Sequence, residues 1–149
     1  MRQRVFIAIN LPDEIKGQLI SYHLKWPELP ARWTKKNNLH ITLAFLGYIR
    51  EEEILGLLND VKGVVLRHQS FVIKLKRIYY GPDEKSPRMI WVEGEKSEEL
   101  GRLENDLKRA LDGLPSESRK KEEKKIYIPH ITLGRLKQWE FRRIEPEER

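Results

Sequence analysis

The sequence predicts alternating strands and helices folded as two related lobes. Three observations predict this. Its 149 residues are the length of one domain, or of two small lobes sharing a core. Apolar residues make up 39% of the chain, enough for a compact core, and lie in short patterned runs between stretches of a charged 35%. One tetrapeptide recurs: His40-Ile41-Thr42-Leu43 and His130-Ile131-Thr132-Leu133 lie 90 residues apart. Each copy sits on a strand that follows a helix and a polar loop. The spacing is no solenoid period and points to two lobes with one copy each.

The elements follow in order. The apolar run Val5-Phe6-Ile7-Ala8-Ile9 reads as a buried strand, ended by Asn10-Leu11-Pro12. Pro12 with Asp13 and Glu14 starts a helix, since proline fits the first turn and acids complement the amide end. Its apolar face is Ile15, Leu19, Ile20 and Tyr22, with Leu24 near the end; Pro27 and Pro30 interrupt. Residues 32–38, polar and basic, read as a loop into a strand over residues 39–46 that Gly47 ends. Residues 51–61 form a second helix, with Ile54, Leu57, Leu58 and Val61 at helical spacing. Phe71, Ile73 and Leu75 alternate with Val72, Lys74 and Lys76 as a half-buried strand. Gly81-Pro82-Asp83 opens a turn that runs to Pro87, and residues 89–92 are the returning strand. Ser97 caps a third helix with the face Leu100, Leu103, Leu107, Ala110 and Leu111, and Gly113 ends it. Residues 116–125 read as a solvated loop, and residues 126–136 as the last strand. The order is β-α-β-α-β-β-α-β.

Several function classes are excluded. With no cysteine there is no disulfide, thiolate metal site or cysteine nucleophile. No apolar run approaches the roughly 20 residues that cross a bilayer. Residues 1–6 lead directly into a strand pattern without a secretory signal, so a cytoplasmic location and no membrane partner are expected. The net charge of +6 suits a polyanionic partner.

Strand alternation turns His40 and Thr42 to one face and Ile41 and Leu43 to the other; the same holds for His130 and Thr132 against Ile131 and Leu133. A lone strand histidine is more often structural than catalytic, but a duplicated His-x-Thr makes that reading much weaker. His23 and His68 lack such context and read as structural or solvated. Two histidines facing one cleft form an acid–base pair, since imidazole exchanges a proton near neutral pH. A threonine hydroxyl on the same face can donate to a phosphoryl oxygen, and an arginine can stabilise the developing charge.

The segment Arg32-Trp33 through Asn38-Leu39-His40-Ile41-Thr42-Leu43-Ala44-Phe45-Leu46-Gly47, with Pro129-His130-Ile131-Thr132-Leu133-Gly134-Arg135, resembles the two-histidine phosphoesterases. Within them it is similar to the RNA 2′,3′-cyclic phosphodiesterases, also called 2′-5′ RNA ligases. Residues 4–9 and 87–91 fit as well, so the resemblance covers almost the whole chain. It implies an α+β bilobal fold, residues 1–149, with two antiparallel sheets around a central cleft and helices outside. It also implies cofactor-free, metal-independent opening of terminal 2′,3′-cyclic phosphates on RNA, or of small cyclic nucleotides, to 2′-phosphates. By resemblance His40 is the general acid for the 3′ oxygen and His130 the base for water, the reverse assignment being chemically permissible. Thr42 and Thr132 hold phosphoryl oxygens, Arg135 clamps the phosphate and Phe45 stacks on the terminal base. The family usually continues with a further pair of strands; this chain, which stops in the charged residues 139–149, is expected to lack them, as a truncated product or as a natural short form.

Phe45 and Arg135 lie five positions after their histidines, an odd offset that faces an unbroken strand's side chain away from the histidine. Each strand must therefore bend or bulge first. Gly134 eases this before Arg135; nothing comparable precedes Phe45, for which a core aromatic is the competing reading. A nucleotide- or RNA-binding module with little turnover is the alternative function. A two-histidine zinc site is disfavoured, because zinc takes three or four protein ligands and no His-x-His pair exists. The sequence leaves the oligomeric state and the physiological RNA open.

Overall fold

The computed structural model describes residues 1–83, 85–112 and 127–142. Its elements are β1 (Arg2–Asn10), α1 (Asp13–Lys25), β2 (Ala31–Trp33), β3 (His40–Arg50), α2 (Glu51–Leu66), β4 (Leu75–Gly81), β5 (Met89–Gly94), α3 (Glu98–Leu111), β6 (His130–Leu136) and α4 (Gln138–Phe141). Among these described residues no helix is long and apolar enough to cross a membrane. The chain forms two compact units, and the fold is α+β with antiparallel pairing.

The first unit comprises Met1–Ile9, Thr42–Lys74 and Gly94–Pro129. β1 and β3 are hydrogen-bonded neighbours. Val5, Ile7 and Ile9 alternate inward along β1 and pack with Leu43, Ala44, Leu46 and Ile49 of β3 against α2 and α3. α3 forms because Ser97 Oγ accepts from the Leu100 amide at 3.2 Å, Glu98 and Glu99 sit in its first turn, and leucines recur at helical spacing. Leu100, Leu107 and Leu111 are at most 1% exposed. Burying one such side chain is worth about 1.5–3 kcal/mol. On α2 the inward residues are Ile54, Leu57, Val61 and Val64. Leu58, expected on that face, is 58% exposed, because the helix runs to Leu66 and its stripe continues through Val64.

The second unit comprises Asn10–Ile41, Leu75–Glu93 and His130–Arg149. β6 is its central strand, antiparallel to β5 on one side, and on the other to β2 and to Ile41 of β3; β4 lies beyond β5. α1 contributes Leu19 to the core and α4 contributes Phe141, whose ring meets Tyr80 at 5.4 Å. Leu24, expected near the end of the α1 face, is exposed.

Other boundaries depart from the sequence reading besides the end of α2. The run 32–38, read as a loop, contains β2 and a 3-10 turn, Lys36–Asn38, because Ala31, Arg32 and Trp33 find partners on β6. β3 does not end at Gly47: the glycine takes φ +74°, which it tolerates without strain, and the strand continues to Arg50. Phe71 and Ile73 pack on the core without joining a ladder, so β4 starts at Leu75. The last strand starts at His130, with residues 127–129 outside the ladder. The turn after Gly81 is present, closed by the Arg88 amide on the Gly81 carbonyl at 2.9 Å. Gly113, the expected loop 116–125 and residues 143–149 lie outside the described residues.

Candidate active site

Ile41 stands directly opposite Ile131, and both are buried, at 2% and 0% exposure. Neighbours of a paired residue project to the other face. His40, His130 and Thr132 therefore emerge together on the opposite side of this crossing, each half-buried.

The His40 ring is oriented from its own chain. Its Nδ1 lies 2.6 Å from the Asn38 carbonyl oxygen. A carbonyl only accepts, so Nδ1 carries the hydrogen.

The His130 ring packs on Trp91 of β5, with centroids 4.4 Å apart and planes tilted by 36°. The same indole reaches Thr132, Trp91 Nε1–H donating to Oγ1 at 3.1 Å. An indole N–H is a donor only, so it uses the oxygen of Thr132 and leaves the hydroxyl's own hydrogen for another acceptor. Trp91 is held in turn by Tyr79, edge-on at 5.8 Å, and by Gly81, where a Cβ would overlap ring atoms Cε3 and Cζ3. Glu93, opposite His130, accepts from Arg77 Nε at 2.7 Å, and the Arg77 guanidinium lies over the Tyr79 ring. Burial, with the Glu93 charge second, pushes the Tyr79 hydroxyl up and keeps it protonated.

A bulge settles the odd offset of Arg135. Ile90 pairs with Gly134, but the next residue, Trp91, pairs with Thr132, so Leu133 is the extra residue on β6. Burial changes phase at that point: Ile131 and Leu133 are buried, Gly134 also, Arg135 is exposed and Leu136 is buried. Arg135 thus falls on the side of His130 and Thr132, opposite Met89 on one strand and Arg32 on the other.

Phe45 and Thr42 belong to the first unit. Phe45 is 74% exposed, which overturns its reading as a core aromatic; its ring lies 6.1 Å from that of Phe6. Thr42 is half-buried, and its carbonyl oxygen accepts from the Tyr127 hydroxyl at 2.6 Å. The second unit thus brings together His40, His130, Thr132 and Arg135. The other two histidines make separate contacts: His23 packs on Trp33 at 4.5 Å, its ring depressed in pKa by burial, and His68 Nε2 lies 2.8 Å from Asp106. A groove of about 860 Å³ opens between α1 and β4–β5, but Ile90 and Val92, which line it, face away from Trp91.

Sequence reasoning assigned no role to Trp91 and placed Arg32 in a loop. A tryptophan on the half-buried phase of β5, rather than with Ile90 and Val92, was the available signal for the first.

The chain matches the family model described as LigT like phosphoesterase over residues 9–91. It is 34% identical over 134 residues to an RNA 2′,3′-cyclic phosphodiesterase of Methanocaldococcus jannaschii, covering 90% of this chain and 72% of that protein. It is 33% identical over 138 residues to the protein of that name from Thermotoga maritima, covering 90% and 70%. Among solved structures, TT0787 of Thermus thermophilus superposes with a TM-score of 0.75 at 32% identity, over 91% of this chain and 75% of that one. E. coli LigT complexed with 3′-AMP superposes with a TM-score of 0.70 at 31% identity, over 91% and 73%.

Proposed function

The chain belongs to the LigT-like phosphoesterase family, and on that premise we propose that it hydrolyses 2′,3′-cyclic phosphate ends of RNA to 2′-phosphomonoesters through His40 and His130. The observation that carries this reading is the Ile41–Ile131 pair, which turns both histidines and Thr132 to one face.

His130, neutral, takes a proton from water as the water oxygen bonds to phosphorus. The bond from phosphorus to O3′ breaks, and His40, protonated, delivers the Nε2 hydrogen to that leaving oxygen. The product carries a 2′-phosphate and a free 3′-hydroxyl. The anchoring of His40 Nδ1 on Asn38 supports the acid role, because it fixes the ring and keeps one hydrogen on Nδ1, so that the proton given up is the one on Nε2. Charge gathers on the phosphoryl oxygens in the transition state. Thr132, its oxygen already used by Trp91, donates its hydrogen there, and Arg135 offers a planar two-pronged fork. From the family resemblance alone we assign Thr42 a phosphoryl contact and Phe45, an exposed ring, stacking on the terminal base. With a 5′-hydroxyl of RNA replacing water, the same steps give a 2′-5′ linkage, so ligation is the companion reaction.

The test is incubation with an oligonucleotide ending in a 2′,3′-cyclic phosphate, in EDTA, with product identification. A 2′-phosphate is expected. A 3′-phosphate product, or loss of turnover in EDTA, overturns the mechanism. A stable complex that is never hydrolysed makes the protein an RNA-binding module instead.

A further inference from the structure

We propose that Arg32 forms a second phosphate subsite, which holds the phosphodiester one nucleotide 5′ of the cyclic end and makes the protein prefer oligonucleotides over mononucleotides. The proposal rests on the reading of His40, His130 and Arg135 given above, and extends it to residues with no assigned role.

Arg32 stands directly opposite Arg135 in the β2–β6 pair. Directly opposed residues share a face, with Cβ atoms about 4.5–5.5 Å apart, and like charges so placed repel. Both side chains are exposed, and among the described residues neither guanidinium has a hydrogen bond, ion pair or ring contact. On the far side of Arg135 stands Met89, so no acid neutralises the pair from β5 either. Two guanidiniums side by side, uncompensated among the described residues, make a site for a dianion or for two successive anions. The β6 bulge places Arg135 on the face of Thr132 and His130, and so places Arg32 there as well. If Arg135 grips the reacting phosphate, Arg32 lies on the neighbouring strand, one residue pair away and within an arginine's reach of the next phosphate. A guanidinium recognises a phosphodiester by a charge-assisted fork without reading the base. The bland account is that Arg32 is an ordinary charge on a short edge strand, where charge discourages pairing with other chains.

The experiment compares adenosine 2′,3′-cyclic phosphate with a trinucleotide ending in a 2′,3′-cyclic phosphate, and with the same trinucleotide carrying an uncharged methylphosphonate at its last internal linkage. Arg32→Ala is expected to raise KM for the charged trinucleotide about tenfold, as for one charge-assisted contact, and to leave the mononucleotide unchanged. The salt dependence of trinucleotide binding should weaken by about 0.7 in log–log slope, the value for one neutralised single-strand phosphate. The methylphosphonate should reproduce the loss in the unmodified protein and add nothing to Arg32→Ala. Arg32→Lys should fall between. Equal effects on both substrates, or no effect on the trinucleotide, overturn the subsite. If the unmodified protein turns over neither substrate, the proposed activity fails separately. The subsite is then judged by the affinity of a 2′-phosphate-ended trinucleotide against adenosine 2′-phosphate: weakening of the trinucleotide alone upholds it, and any other pattern overturns it.

Discussion

β3 and β6 begin with the same four residues and bury their first seven in the same pattern, yet end in different chemistry. In each, the first and third residues are half-buried, the second and fourth buried, the fifth buried also, and the sixth exposed. That sixth residue is Phe45 in one strand and Arg135 in the other. The residue before it is Ala44 in one and Gly134 in the other. The change of phase does not need glycine, since Ala44 has it too. Gly134 answers a different demand: a Cβ there would come within 3.2 Å of the Arg32 carbonyl oxygen and of Trp33 Cε3. The glycine lets β2 lie close against β6, while Ala44 packs in a core cluster with Leu46 and Ile49. The same change of burial phase thus exposes an aromatic ring on one copy and a cation on the other.

The comparison breaks first at what the copies share. His40→Ala and His130→Ala should each lower kcat by about 10²- to 10⁴-fold, the range for one general acid or base. Neither ring is in the buried core, so thermal unfolding of both variants should stay close to the parent. A variant at either position with near-normal turnover removes that histidine from the reaction.

It sharpens at what they do not share. Arg135→Ala should cost about 10²- to 10³-fold in kcat, as for loss of one preorganised charge stabiliser. Arg135→Lys should remain well below the parent, because a point charge lacks the planar fork. Phe45→Ala should leave kcat intact and raise KM about 5- to 150-fold, the equivalent of the roughly 1–3 kcal/mol of one base–aromatic stack. If Phe45→Ala lowers kcat and Arg135→Ala only KM, the roles of the two copies are exchanged.

The repeated tetrapeptide, the cap at Ser97 and the leucine spacing of α3 are local signals, and they located the fold and both histidines. What stayed hidden was non-local. A period of two carries no trace of the extra residue Leu133, which appears only in the pairing of Trp91 with Thr132. β2 spans three residues and exists because β6 offers it partners, so the basic run around Arg32 read as a loop. The partner of Trp91 lies 41 residues away in sequence. Phe71 and Ile73 alternate as a strand does but spend that alternation on packing, without a ladder.

Trp91 gives the smallest expected effect and the finest test of β6. It touches both members of that copy's polar pair, packing on His130 and donating to Thr132. Trp91→Phe keeps an aromatic face for the imidazole but deletes the donor. A neutral hydrogen bond contributes about 0.5–1.5 kcal/mol, so kcat/KM should fall several-fold, not by orders of magnitude. Trp91→Leu removes ring and donor together and should cost more. The diagnostic is the cycle with Thr132→Val, which removes the hydroxyl at similar volume. If the indole acts by orienting that hydroxyl, Trp91→Phe should lose most of its effect in the Thr132→Val background, leaving a coupling near the full single-mutant value. Additive losses would mean that the 3.1 Å contact carries no function and that Trp91 serves β6 through packing on His130 alone.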